Sequence, residues 1–221
     1  MSKSYCYCAD VETTGRDPEK NDVIEIAICR LSFDEDGSHT SEIKSWCLKP
    51  INLKEIEDEA LAINHHKKED LLHQTKFGKE TYREPADVVS EIELWIMEDD
   101  VSSVDRIFAG QNPNFDIGFL KSLWKKVGTP STFPFALENG SRVIDTIQIA
   151  TLIDLCVGKR RLFYNLGSLV KSFGVKKIKS HRADTDTIMT SDLLIKMISP
   201  IRPVIVDNFK NCYLEKSEDT L

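Results

Sequence analysis

The chain has 221 residues, of which 41% are hydrophobic and 29% charged, the composition of a soluble globular protein able to bury the core of one domain. Its formal net charge of −7 argues against broad, nonspecific attraction to phosphate backbones, and no apolar run is long enough to cross a bilayer. The sequence does not open with a charged segment, an apolar stretch and a small-residue cleavage site, so a cytoplasmic protein without a membrane partner is expected.

Residues 5–11 are apolar on both faces, as in a strand buried within a sheet that helices cover. The strand runs into Asp10-Val11-Glu12-Thr13-Thr14-Gly15, so its charges fall where it meets a turn. A second strand over 23–33 ends at the turn signal Asp34-Glu35-Asp36-Gly37, and an alternating run over 43–48 completes an antiparallel meander. Helical spacing follows at Ile56, Ala60 and Ile63, then at Val88, Ile92, Trp95 and Ile96. Residues 106–110 read as a short buried strand. Asn112 is then expected to cap a helix with Pro113 in its first turn, placing Asp116 at a strand-to-helix junction. A brief strand at 143–144 and helices around 146–156, 165–173 and 183–198 complete the order, which is that of an α/β layered domain. One domain is expected over residues 1–199. Residues 200–221 form a C-terminal extension whose apolar members Val204, Ile205, Val206 and Phe209 are expected to pack on the core, with a frayed end.

The six cysteines lack the paired spacing of a zinc site or a disulfide framework and read as reduced, buried thiols. Cys6 and Cys8 share one strand face, where small hydrophobes belong.

Residues i and i+2 of a strand project to the same side, so Asp10 and Glu12 place two carboxylates together at a strand end. Their repulsion is relieved by a divalent cation, and hard oxygen ligands suit magnesium or manganese. Taken singly, each acidic residue also has a plain reading. Asp116 sits where free N–H groups and the helix dipole favour an anion, and Asp186 belongs to a helix start. An isolated His181 is more often a surface or packing residue than a base.

Together, Asp10-Val11-Glu12-Thr13-Thr14-Gly15, Asn112-Pro113-Asn114-Phe115-Asp116 and His181-Arg182-Ala183-Asp184-Thr185-Asp186 resemble the three motifs of the DEDDh, or DnaQ-like, 3′-to-5′ exonucleases. The resemblance covers roughly residues 5–198 and implies an RNase H-like fold, a mixed five-stranded sheet with helices on both faces. It also implies two divalent cations, Mg2+ with Mn2+ as substitute. Asp10 bridges both ions, Glu12 and Asp186 hold the first, Asp116 supports the second and His181 is the general base. Such chemistry is intelligible: paired ions about 4 Å apart charge-stabilise phosphodiester hydrolysis, and a neutral imidazole accepts the proton of the attacking water near neutral pH.

By the same resemblance, Thr13, Thr14 and Gly15 face the terminal nucleotide, although both threonines serve equally well as turn formers. Ile63, Asn64 and His65 lie in the segment against the last base, with His66 taken to replace a family glycine unless the alignment is shifted. Asn112 caps its helix or touches a substrate oxygen. Phe115 stacks near a base or, by its spacing from Phe119, joins the core. Two basic groups, Lys159-Arg160-Arg161 and Lys171-Lys176-Lys177-Lys179-Arg182, are candidates to guide phosphate.

The expected activity is release of nucleoside 5′-monophosphates from single-stranded 3′ ends, with DNA slightly favoured over RNA. The alternatives are an RNA-end or oligoribonucleotide exonuclease, a proofreading subunit on a polymerase, or a catalytically silent nucleic-acid-binding module. A polymerase or a second copy of the chain is a possible partner.

Overall fold

The fold grows from one long strand that carries apolar residues on both faces. In the computed structural model, which describes residues 4–34, 38–73, 76–77, 80–137, 142–178 and 181–209, β1 spans Ser4–Thr13. It pairs antiparallel with β2 (Val23–Phe33), and β2 pairs with β3 (His39–Cys47), the expected meander. Helices α1 (Asp58–Asn64) and α2 (Lys68–His73) follow, then a two-stranded ribbon of β4 (Lys76–Phe77) and β5 (Glu80–Thr81), and α3 (Pro85–Met97). The chain re-enters the sheet as β6 (Ile107–Gly110), runs into α4 (Asn114–Lys126), and returns as β7 (Val143–Asp145). It closes with α5 (Thr146–Val157), α6 (Leu166–Ser172), α7 (Ala183–Ile198) and α8 (Arg202–Phe209).

The main sheet has five strands in the order β3-β2-β1-β6-β7, with β6 and β7 parallel to β1. Its two faces follow the alternation of β1. Tyr7, Ala9 and Val11 pack beneath α3 and α4 among Val88, Ile92, Trp95, Phe119 and Leu123. Cys6 and Cys8 point the other way, onto Cys29, Leu31, Ala109 and Leu194 of α7. Helices α5 and α6 lean on α7 through Ala150, Leu169, Val170, Met189 and Leu193. The sheet is thus covered on both sides, which is what permits apolar residues on both faces of β1.

Under α3, the Tyr7 hydroxyl donates to Asp99 at 2.6 Å, and Arg106 grips both Asp99 oxygens at 2.7 Å. This buried ion pair ties the end of α3 to the entry of β6.

Several details depart from the sequence reading. Helix α4 begins at Asn114 with Pro113 as its N-cap and no side-chain capping bond there. Asn112 lies outside the helix with φ 59°, its N–H held by Asp145 at 3.1 Å. It is not the cap because the chain must turn left-handed to leave β6, and an Asx side chain tolerates that conformation. Cys6, Cys8, Cys29 and Cys47 are buried free thiols, but Cys156 is exposed, in the last turn of α5 where Leu155 and Val157 are exposed too; Cys212 lies outside the described residues. Helix α8 buries none of its residues. Val204, Ile205, Val206 and Phe209 are exposed, and Arg202 ties the helix to the domain by donating to the Asp34 carbonyl at 3.0 Å. No helix among the described residues is long and apolar enough to cross a membrane.

Candidate active site

The face of β1 that buries Cys6 and Cys8 also carries Asp10 and Glu12, two and four residues further along the same pleat. Helix α7 crosses this face. The Thr187 hydroxyl donates to the Ala27 carbonyl at 3.3 Å, and Ala27 is the β2 partner of Asp10, so the preceding residue, Asp186, is delivered over the strand end. One carboxylate oxygen each from Asp10, Glu12 and Asp186 lies within 4.8 Å of the others.

Asp116 arrives from the opposite layer, in the first turn of α4. Parallel pairing of β1 with β6 runs from Cys6 to Cys8, so the Val11 N–H further along has no strand partner there and donates to Asp116 Oδ1 at 3.1 Å. That bond fixes a buried carboxylate beside Asp10 and Glu12, and the four acids converge from three elements.

Electrostatics makes the cluster unfavourable on its own. Burial raises the Asp10 carboxyl well above its ordinary value, and Asp116, Glu12, Asp186 and Glu25 add to the rise. Burial, then Glu25, Asp186 and Asp116, push Glu12 up to about 8. Burial lifts Asp116 to about 7 against the pull of the Val11 N–H, and lifts Asp186 despite the His181 N–H. Asp186 Oδ2 accepts that N–H at 2.9 Å, while its Oδ1 is buried and finds no hydrogen-bond partner among the described residues. A buried carboxylate oxygen without a donor is costly. An all-carboxylate donor set with one oxygen vacant of partners fits a hard divalent cation.

His181 stands exposed at the start of α7, with φ 69°. Its ring lies 6.3 Å from that of His65, nearly perpendicular, and His65 ends α1 in the same left-handed conformation, φ 63°. Between α1, α4 and the end of β1 runs a groove of about 590 Å³. Its lining includes Glu12, Thr13, Gly15, Ile63, Asn64 and Phe115. Ile63 is 48% exposed and Phe115 38% exposed, whereas Phe119, at 4.8 Å from Phe115, is buried; Phe115 is therefore groove wall rather than core.

A model of the exonuclease family of the RNase T type matches residues 8–194. The chain belongs to this DnaQ-like DEDD exonuclease family. Among relatives of this exonuclease domain, the PolC-type DNA polymerase III of Staphylococcus haemolyticus is 29% identical over 203 residues, and that of Staphylococcus aureus strain RF122 is 30% identical over 200. These cover 91% and 90% of this chain, which spans only 12% of each polymerase. Among solved structures, exonuclease I of E. coli in complex with a dT13 oligonucleotide superposes with a TM-score of 0.70 at 16% identity, over 94% of this chain and 43% of that one. Exonuclease I of Methylocaldum szegediense gives 0.66 at 19% identity, covering 94% and 43%. The mixed five-stranded sheet with helices on both sides is their RNase H-like fold.

In this exonuclease domain not every predicted site residue faces the groove. Thr14 is fully buried, its hydroxyl accepting the Asp22 N–H at 2.9 Å. The Thr13 hydroxyl donates to the Gly15 carbonyl at 2.6 Å. Both hydroxyls therefore serve the turn. The left-handed backbone conformation belongs to His65 (φ 63°), and His66 is not among the described residues with positive φ. His66 is buried, its ring between Tyr82 and Glu25. Two basic candidates are already engaged: Arg161 binds Asp154, and Arg182 binds Glu25. Lys179 lies outside the described residues.

Sequence reading missed Glu25, although a signal was present. An acid inside the apolar run Val23-Ile24-Glu25-Ile26-Ala27-Ile28 cannot be buried without partners.

Proposed function

We propose that this exonuclease domain removes nucleoside 5′-monophosphates from the 3′ ends of single-stranded nucleic acid, DNA slightly favoured over RNA, with two divalent cations, Mg2+ by preference. The observation that carries the reading is the convergence of Asp10, Glu12 and Asp186 within 4.8 Å, one buried oxygen of Asp186 lacking a donor among the described residues, with Glu12 also lining the groove. Asp10, Glu12 and Asp186 would hold one cation, and Asp116 with Asp10 the other. When bound, the cations supply positive charge to the reacting phosphate and favour ionisation of the attacking water.

The chain's own residues do the rest. A ring nitrogen of His181 takes the proton of the attacking water; its exposure leaves it room to reach the water and to return the proton to solvent. Ile63 and Phe115 offer apolar surface to the terminal base. Asn64, whose side-chain amide donates to the Thr13 carbonyl at 3.0 Å, fixes the groove wall to the strand that carries Glu12. Support for a DNA substrate is the shared fold with an exonuclease I crystallised with dT13. A proofreading role beside a polymerase is a second reading, favoured by the 29–30% identity to PolC-type polymerases.

The test follows 5′-labelled single-stranded DNA, single-stranded RNA and a mismatched duplex with magnesium, with manganese and with chelator. A stepwise 3′ ladder on DNA that disappears with chelator and in Asp10→Ala is expected. Cleavage that persists in chelator, or full activity of Asp10→Ala, refutes the proposal, and preference for the mismatched duplex selects the proofreading reading.

A further inference from the structure

Glu25 is an acid within the apolar run that opens β2, 1% exposed, directly opposite Glu12 in the β1–β2 register. Its carboxylate sits between two segments far apart in sequence. Oε2 lies 3.2 Å from His66 Nε2, and Oε1 accepts Arg182 Nε at 3.2 Å. His66 Nδ1 in turn lies 2.5 Å from the Tyr82 hydroxyl, and the His66 N–H donates to Asn64 Oδ1 at 3.3 Å. Asn64 is a wall of the groove, and Arg182 is the residue after His181. The rings of His65 and His181, each next to one of these segments' anchors, lie 6.3 Å apart.

We propose that Glu25 is a positioning residue: its buried carboxylate clamps the groove wall, through His66, to the His181 segment, through Arg182. The inference rests on the nuclease reading above for its effect on turnover, but not for the clamp itself.

Both clamped residues next to the reaction, His65 and His181, adopt left-handed backbone conformations that L residues with bulky side chains seldom hold unaided. Surrounding structure has to impose such conformations. For His181 the visible restraints are the bond from its N–H to Asp186 and the anchoring of Arg182 on Glu25. For His65 they are the flanking Asn64 and His66, each fixed from below. Glu25 bonds to both segments, so loosening it frees the two together.

The experiment compares wild type with Glu25→Gln, Arg182→Ala and Arg182→Lys in steady-state hydrolysis of a labelled single-stranded DNA, with magnesium affinity by calorimetry and backbone amide exchange measured on the same proteins. Glu25→Gln and Arg182→Ala are expected to lower kcat by about 10-fold or more with KM within about twofold, since small displacements of a catalytic group are costly. Arg182→Lys, which keeps the charge, should recover most of the loss, and magnesium affinity should be retained. Exchange should quicken in residues 63–66 and 181–186 together. Unchanged kcat in both Glu25→Gln and Arg182→Ala overturns the proposal, as does quickened exchange in only one segment. If Glu25→Gln fails to fold, the two Arg182 variants, at a partly exposed side chain, decide the matter. If wild type proves inactive, the nuclease reading fails, and the paired exchange response alone supports or overturns the clamp.

Discussion

Replacing Glu12 with glutamine removes one charge from the carboxylate cluster while keeping the side chain's size, and in chelator it should stabilise the fold. Burial and the neighbouring acids move Glu12 from an ordinary 4.5 up to about 8. The folded chain therefore binds more protons than the unfolded chain between these values, and wild-type stability falls as pH rises through that window. At ~1.4 kcal/mol per pH unit, Glu12 costs the metal-free fold about 3 kcal/mol at pH 7 and about 5 kcal/mol above pH 8. Glu12→Gln removes this contribution, so its advantage over wild type should be slight near pH 4.5 and grow with pH. Magnesium should cancel or invert the difference, because a ligand of the native state stabilises wild type more than a variant with a weakened site. Urea denaturation in EDTA at pH 6, 7 and 8.5, repeated with magnesium, measures this. A variant no more stable than wild type in EDTA at pH 8.5, or a gain independent of pH, refutes the electrostatic account.

His181→Ala should lower kcat by roughly 10²-fold or more, as expected for loss of a general base, with magnesium affinity retained in calorimetry; wild-type turnover contradicts the role. Asp99→Ala leaves Arg106 and the Tyr7 hydroxyl without their shared partner, whose side chain is fully buried, and should destabilise by about 3–5 kcal/mol in urea. A Cβ on Gly15 falls 2.3 Å from the Asn21 side chain, which itself holds the Asp17 N–H and the Glu55 carbonyl. Gly15→Ala should therefore destabilise by about 1–3 kcal/mol, and unaltered stability shows that the turn relaxes freely.

Strand alternation made much of this site legible before any coordinates. Asp10 and Glu12 had to share a face with Cys6 and Cys8. The junction around Asp116 was also visible as a strand followed by a helix. Contacts that depend on distant pairing were not. The partners of Glu25 are 41 and 157 residues away, and no local pattern announces them. The same holds for the groove, where the exposure of Phe115 depends on how α1 and α4 stand apart, not on its spacing from Phe119. The two adjacent histidines are likewise alike in sequence, and only the sign of φ separates them.

The bond between the Val11 N–H and Asp116 has a practical consequence. A main-chain proton at the centre of the sheet is donated to a single carboxylate of the site, so its chemical shift reports on that carboxylate from a position that carries no catalytic side chain. Val11 is in effect a built-in spectroscopic probe, and a magnesium titration followed at its amide can register the recruitment of Asp116 in unmodified protein, without substrate and without turnover.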